Sequence, residues 1–303
     1  MTFTSRTKRI LASAAIVGVL VPASIAGVSL TQAFEQNCVI AKNGDCSGMN
    51  LRGMNFSGLD LTGIDFSDAN LAGASLSRAI LLNTDLSGAN LSGIDGRQTS
   101  FAGANLQDAN LEGANLRLAV FYTCSGGYNG CLGADLTRAN LRGAILTGAQ
   151  LNFSSLLLAD LRGATLVRTN LTSVMAQSTN FTQANLPRAR LTNAALNRAN
   201  FTRATLVRVN FANTSGVDAQ FVEADMRDTV FRNSGLNQPN YTDAILTRSI
   251  FYDTYISIPN FTRANLRGAQ LYGNTFGGGT WIRVTCPSGT VQNVACPQET
   301  DPA

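Results

Sequence analysis

Few side chains in this 303-residue protein could do chemistry. There is no histidine, so the commonest metal ligand and the side chain that titrates nearest neutral pH are both missing. Only two lysines, Lys8 and Lys42, could serve as an amine base. Without a base beside a hydroxyl or thiol, no activated nucleophile forms. The sequence therefore argues against an enzyme, and it assigns no catalytic residue and no cofactor. The six cysteines fall into three close pairs: Cys38 with Cys46, Cys124 with Cys131, and Cys286 with Cys296. None has the CxxC spacing of a metal site, and an even count in an exported chain reads as disulfides closing small loops. Between 161 and 217 there are seven arginines and no acid. Within this belt, taken as 162–208, Arg168, Arg188 and Arg208 recur every twenty residues and are candidate contacts for an anionic partner. A plain solvated face is the simpler account of them. Tyr128, midway between Cys124 and Cys131, is a further candidate partner contact.

What must position these residues is set by a repeat. From Leu51 to Trp281 nearly every fifth residue is large and apolar, as in Leu51, Phe56, Leu61, Phe66 and Leu71. Two positions earlier the residue is small, mostly alanine, as at Ala69, Ala74 and Ala104. On an α-helix a step of five turns through about 500°, which scatters the leucines around the axis. On a flat strand an odd step sends successive leucines to opposite faces. A chain that turns a corner after every five residues keeps them all inward. A second period of twenty, in TNFTQ at 179–183, ANFTR at 199–203 and PNFTR at 259–263, makes four such walls one coil. About eleven coils are expected, stacked at the ~4.8 Å spacing of paired strands.

The twenty-residue spacing also predicts columns. Phe181, Phe201, Phe221, Tyr241, Phe261 and Trp281 should form one interior spine, with Phe211, Phe231 and Phe251 on the opposite wall. Outside, Arg203, Glu223, Asp243 and Arg263 should form a ladder of alternating charge. Thr182, Thr202, Thr242 and Thr262 make a column only one residue wide, next to charges, which argues against ice or crystal binding. The Asn-Phe-Thr triplets match glycosylation acceptors, but the repeat generates them automatically. The segment from Cys124 to Cys131 breaks the grammar. Either both cysteines stay in deviant units, or ten residues leave the wall as a loop at 122–133; Gly126, Gly127 and Gly130 favour the loop.

Units such as Ala69-Asn70-Leu71-Ala72-Gly73 and Ala109-Asn110-Leu111-Glu112-Gly113 resemble the pentapeptide-repeat family, whose pattern is A(D/N)LXX. The resemblance implies an all-β fold, a right-handed quadrilateral β-helix. It would occupy 49–283, with an N-terminal cap segment at 34–48 and a disulfide-closed tail at 284–303. The ending, Gly279-Thr280-Trp281 followed by Cys286-Pro287 and Cys296, looks like the tail of exported members. Some cytosolic members mimic DNA with strongly acidic surfaces and protect topoisomerase. This chain departs from them, because its middle is basic.

Residues 1–33 read as an export signal: Arg6, Lys8 and Arg9, then an uncharged apolar run from Ile10 to Leu30, then cleavage sites after Ala26 or Ala33. An uncleaved anchor is the alternative. Cleavage leaves 20 basic and 19 acidic groups, so bulk charge gives no case for nucleic acid. The expectation is a non-enzymatic, exported structural or interaction scaffold in a periplasm, on a cell surface or in a thylakoid lumen. Its partner would be a protein or envelope component, and exposed rod ends allow a homodimer. The alternative reading is a binder of an anionic ligand or carbohydrate through the arginine belt.

Overall fold

The computed structural model describes residues 38, 40–125 and 130–297. The expected export signal and Tyr128 lie outside them, as do parts of the N-terminal segment and of the C-terminal tail. No described residue lies in an α-helix. The chain instead winds into a rod of stacked coils, in which a parallel bridge forms every five residues with the position one coil on. Asp45 pairs with Asp65, Asn50 with Asn70, Asn55 with Ser75 and Asp60 with Ile80, and the ladder continues to Asn265 with Thr285. Four bridges per twenty residues give the rod four faces. We number them from the inward residues they carry: Leu61, Leu81 and Phe101 on the first, Phe66 and Leu86 on the second, Leu71 and Leu91 on the third, Leu76 and Leu116 on the fourth.

One unit shows how the sequence builds a wall and a corner. Leu71 N–H donates to the Asn90 carbonyl at 2.8 Å, and Asn90 N–H donates to the Ala69 carbonyl at 2.9 Å. At the corner, Ala74 N–H donates to the Leu71 carbonyl at 2.9 Å, closing a tight turn, while Gly73 N–H reaches the Ser92 carbonyl at 2.8 Å. Where the residue before an inward apolar side chain is Asn or Asp, its side chain can support the turn that follows. Asn180 Oδ1 accepts Thr182 N–H at 3.0 Å and Thr182 Oγ1 at 2.6 Å, and Asn240 and Asn260 hold Thr242 and Thr262 in the same way. The Asn-Phe-Thr triplets are thus side-chain-closed turns, and these threonine hydroxyls are occupied.

The third residue of each corner has φ near +60°, a region that costs an ordinary L residue about 1–2 kcal/mol. In the first coils glycine takes this position, as at Gly48, Gly53, Gly58 and Gly63. From Arg168 to Arg263, however, every such corner holds a residue with a side chain.

Inside, two faces of the C-terminal coils are lined by aromatic columns. On the third face Phe181, Phe201, Phe221, Tyr241 and Phe261 stack with ring centroids 4.7–5.2 Å apart, and Trp281 tilts onto Phe261 at 4.5 Å. Phe211, Phe231 and Phe251 on the first face stack at 4.7 and 4.9 Å. The two columns meet edge to face across the core, as in Phe211–Phe221 at 6.0 Å. Buried threonines at the small position, such as Thr84 and Thr179, give their hydroxyl protons to the Leu61 and Leu156 carbonyls. At the break in the pattern, a Cβ on Gly96 would sit 2.9 Å from Leu116 Cδ2, so the Leu116 side chain fills the space that a larger residue would take.

The wall is interrupted once among the described residues. Strands β1 (Tyr122–Cys124) and β2 (Cys131–Gly133) pair antiparallel, and the Cys124–Cys131 disulfide closes the hairpin. Ala134 N–H then donates to the Phe121 carbonyl at 2.6 Å, a bond that elsewhere joins residues three apart. Asn105 consequently pairs with Asp135 and Val120 with Gln150, thirty residues on rather than twenty. Near the C-terminus the flanking segments lengthen into strands. β3 (Ser215–Val217), β5 (Gly235–Asn237), β7 (Tyr255–Ser257) and β9 (Thr275–Gly277) stack on the second face. β4 (Val230–Arg232), β6 (Ile250–Tyr252) and β8 (Gln270–Tyr272) stack on the first. A last antiparallel pair, β10 (Val284–Thr285) with β11 (Val291–Gln292), is bound by Cys286–Cys296 and lies beyond Trp281. Cys38–Cys46 bridges the opposite end.

Candidate functional site

Every inward position is filled by packing, so any site must lie on the outer columns. The edge between the fourth and first faces stands apart. Before the hairpin the chain turns there through Ser77-Arg78, Arg97-Gln98 and Arg117-Leu118. After it the turns are Thr147-Gly148, Val167-Arg168, Pro187-Arg188, Val207-Arg208, Arg227-Asp228, Thr247-Arg248 and Arg267-Gly268. With the two flanking face columns from Ser75 to Gln270, the edge carries ten arginines against Asp95, Asp225 and Asp228. The remaining described surface holds ten basic and thirteen acidic groups. The basic excess of the described residues is therefore concentrated on this one edge, and the charge is polarised across the section.

Four of these arginines are matched by carboxylates. Arg97 pairs with Asp95 at 2.7 Å and Arg227 with Asp225 at 2.6 Å, each along one wall. Arg248 and Arg208 share Asp228, at 2.7 and 3.8 Å. The hydrogen bond from Arg97 holds the Asp95 carboxyl below its ordinary range, and that from Arg248 does the same for Asp228. Among the described residues, Arg78, Arg117, Arg168, Arg188, Arg190 and Arg267 have no carboxylate partner. Arg78 Nε donates to Gln98 Oε1 at 3.0 Å. An open recess of about 420 Å³ lies among Arg78, Arg97 and Arg117, lined also by Ser77, Gln98 and Leu118.

The contiguous arginine belt of the sequence is not one surface. Arg168, Arg188 and Arg208 do share this edge, with φ of 57°, 61° and 60°. Arg162 turns away to the edge between the third and fourth faces and pairs with Asp160 at 2.5 Å. Arg203 lies on that same edge, bonded to Glu223 at 2.8 Å, and Arg263 bonds Asp243 at 2.5 Å further along it. Arg198 sits on the edge between the second and third faces. Sequence reasoning did not join Arg78, Arg97 and Arg117 to Arg168 and Arg188. The signal was available in the spacing of Phe121 and Leu136 once the ten extra residues are removed. No group of His, Cys, Asp and Glu suited to a metal occurs among the described residues.

A model of the family described as Pentapeptide repeats matches in eight copies, over residues 45–82, 79–117, 134–172, 154–193 and 194–233. These matches stop on either side of the hairpin, while the bridge ladder runs on past 233 to Thr285. No curated protein matches the chain. Among solved structures the chain is similar to HetL of Nostoc sp. strain PCC 7120, a pentapeptide repeat protein involved in regulation of heterocyst differentiation. The identity is 24% over 89% of this chain and 100% of HetL, with a TM-score of 0.38. It is similar also to Rfr23 of Cyanothece 51142, at 24% identity over 55% of this chain and 95% of that one, TM-score 0.26. A pentapeptide repeat protein of the Arabidopsis thaliana thylakoid lumen gives 28% identity over 39% of this chain and 71% of that one, TM-score 0.15.

Proposed function

Because the chain belongs to the pentapeptide-repeat family, we propose that it is a rigid, non-catalytic scaffold that works outside the cytoplasm by presenting one edge to an envelope partner. The observation that carries this reading is the contrast between a core with no inward position to spare and the arginine edge between the fourth and first faces. Arg168, Arg188 and Arg208 stand one coil apart there at positive-φ corners; every corner from Arg168 to Arg263 shares that conformation, so it is their charge that sets this edge apart. The three disulfides fit an oxidising compartment, and the basic and apolar N-terminus fits export. Charge favours this edge over a DNA-mimicking role, which needs a continuous acidic surface.

The test uses the full-length tagged chain in its native envelope, with a photo-crosslinking residue at Val167 or Thr247 on the basic edge or at Gln177 or Asn237 on the opposite edge. Cross-links from the first pair alone are expected. Equal yields from both edges, or recovery of the uncleaved chain in the cytoplasm, would remove the reading.

A further inference from the structure

We propose that the edge between the fourth and first faces binds a linear, oxyanion-bearing polysaccharide laid along the rod. This rests on the scaffold reading above and names the chemistry of its partner. The charge on this edge is linear. Arg78 and Arg267 stand about nine coils apart, so the row spans roughly 43 Å at the ~4.8 Å strand spacing. A single anion would use only a fraction of such a row, whereas an extended polymer could engage it rung by rung. Arg168 and Arg188 occupy successive rungs with no carboxylate partner among the described residues, and Arg190 lies one wall position away. No carboxylate among the described residues relieves their mutual repulsion, and a row of ligand anions would relieve it. The recess of about 420 Å³ among Arg78, Arg97 and Arg117 extends the same edge towards the N-terminal end.

The chemistry of the side chains narrows the ligand. Every cation on this edge is arginine, whose planar fork donates two parallel hydrogen bonds to a carboxylate, sulfate or phosphate ester. The residues between them are Ser77, Thr147, Val167, Pro187, Val207 and Thr247. None is aromatic, so the edge offers no platform for stacking bases, the feature that single-strand binders rely on. A polymer with a regularly charged backbone and no flat bases fits this surface better than nucleic acid does. Outside the cytoplasm, anionic glycans are such polymers.

The experiment measures binding of the oxidised mature chain to size-fractionated polyuronate, sulfated and phosphate-bearing glycans, with a neutral glycan, double-stranded DNA and inorganic phosphate as comparisons. Two triple variants accompany it: Arg168→Gln/Arg188→Gln/Arg208→Gln on the edge, and Arg142→Gln/Arg162→Gln/Arg203→Gln on the neighbouring edge. Glutamine already occupies corners of this geometry at Gln98, Gln183 and Gln238, so both variants should fold, which their melting curves verify. Affinity for at least one anionic glycan should rise with polymer length up to about 40–45 Å, a reach set by the coil spacing, and fall with salt. The first variant should lose tenfold or more and the second less than twofold. The three anionic arms identify which oxyanion is preferred. Absence of binding to all of them, equal losses in both variants, or tighter binding of DNA would overturn the proposal. If the glycans fail while edge-specific cross-links to a protein persist, the ligand is wrong and the scaffold reading stands. If both fail, both fall.

Discussion

Replacing Tyr241 by phenylalanine should stabilise the protein. Tyr241 is the one phenol in the stacked third-face column, fully buried between Phe221 and Phe261 at centroid distances of 5.1 and 4.8 Å. Its hydroxyl oxygen is buried with no hydrogen-bond partner among the described residues. An unmatched buried hydroxyl costs about 1–3 kcal/mol, and Tyr→Phe removes it without disturbing the ring stack. Loss of the oxygen's own packing contacts offsets a few tenths of a kcal/mol, leaving a net gain of roughly 1–2 kcal/mol. Urea denaturation followed by the fluorescence of Trp281, in the same column, should show a higher midpoint at unchanged m. A second readout comes from pH. Burial pushes the Tyr241 phenol well above its ordinary value. Below pH ~10 both folded and unfolded states keep the proton. As pH rises beyond that, only the unfolded state releases it, so the wild type loses stability there and the variant lacks this component of the loss. The advantage of the variant should therefore widen above pH 10. A lowered midpoint would show that the hydroxyl is hydrogen-bonded in solution, and a constant difference across that range would show that the phenol is solvated; either result refutes the column argument.

Other outcomes follow from the corners, the ends and the ladder. Ile258→Gly, at a corner with φ of 50°, should raise stability by about 0.5–1 kcal/mol, the relief of a left-handed β-branched residue less the flexibility glycine adds to the unfolded chain; urea midpoints measure it. Gly148→Ala should cost about 1–2 kcal/mol, because φ is 70° while the exposed Leu118 Cδ2, 2.8 Å from the new Cβ, is free to move aside; a neutral result in the same assay would refute the backbone strain. Removing the terminal disulfide by Cys286→Ser/Cys296→Ser should cost about 2.5–3 kcal/mol from the ten-residue separation of the two cysteines. It should also expose Trp281, seen as a red-shifted emission and as earlier proteolysis at the C-terminus. Hydrogen bonds from Arg203, Arg263 and Arg248 hold Glu223, Asp243 and Asp228 below their ordinary values. Their stabilisation is present above pH ~4 and is lost as pH falls through the lowered values. Asp243→Asn should therefore flatten the acid limb of a stability–pH curve, and an unchanged limb would remove that pair from the account.

Much of the fold was legible because its two periods are covalent facts. Leu51, Phe56 and Leu61 demand a turn every five residues, and the Phe181-to-Trp281 spacing sets four walls per coil. The role of asparagine in Asn-Phe-Thr was less visible. It depends on Oδ1 reaching the N–H two residues on, and that requires the corner geometry to exist first. The gathering of arginines on one edge was likewise hidden. Arg168 and Arg188 read as ordinary surface charges until the bridge ladder places them on one edge with Arg78, Arg97 and Arg117.

By itself, the sequence determined the repeat, the inward columns and the close cysteine pairs, since each follows from local spacing along one chain. Which charges share an edge was decided only by the tertiary structure. The hairpin from Tyr122 to Gly133 takes ten residues out of the wall, half a coil, so every later column is turned by two faces relative to the earlier ones. Had those residues stayed in the wall, the column of Arg168 would have continued into Asp108 and Asp68. With them removed, it continues through Gly148 and Leu118 to Gln98 and Arg78, beside Arg117 and Arg97. The same residues would thus make a mixed edge or a basic one, and backbone pairing across the hairpin makes it basic.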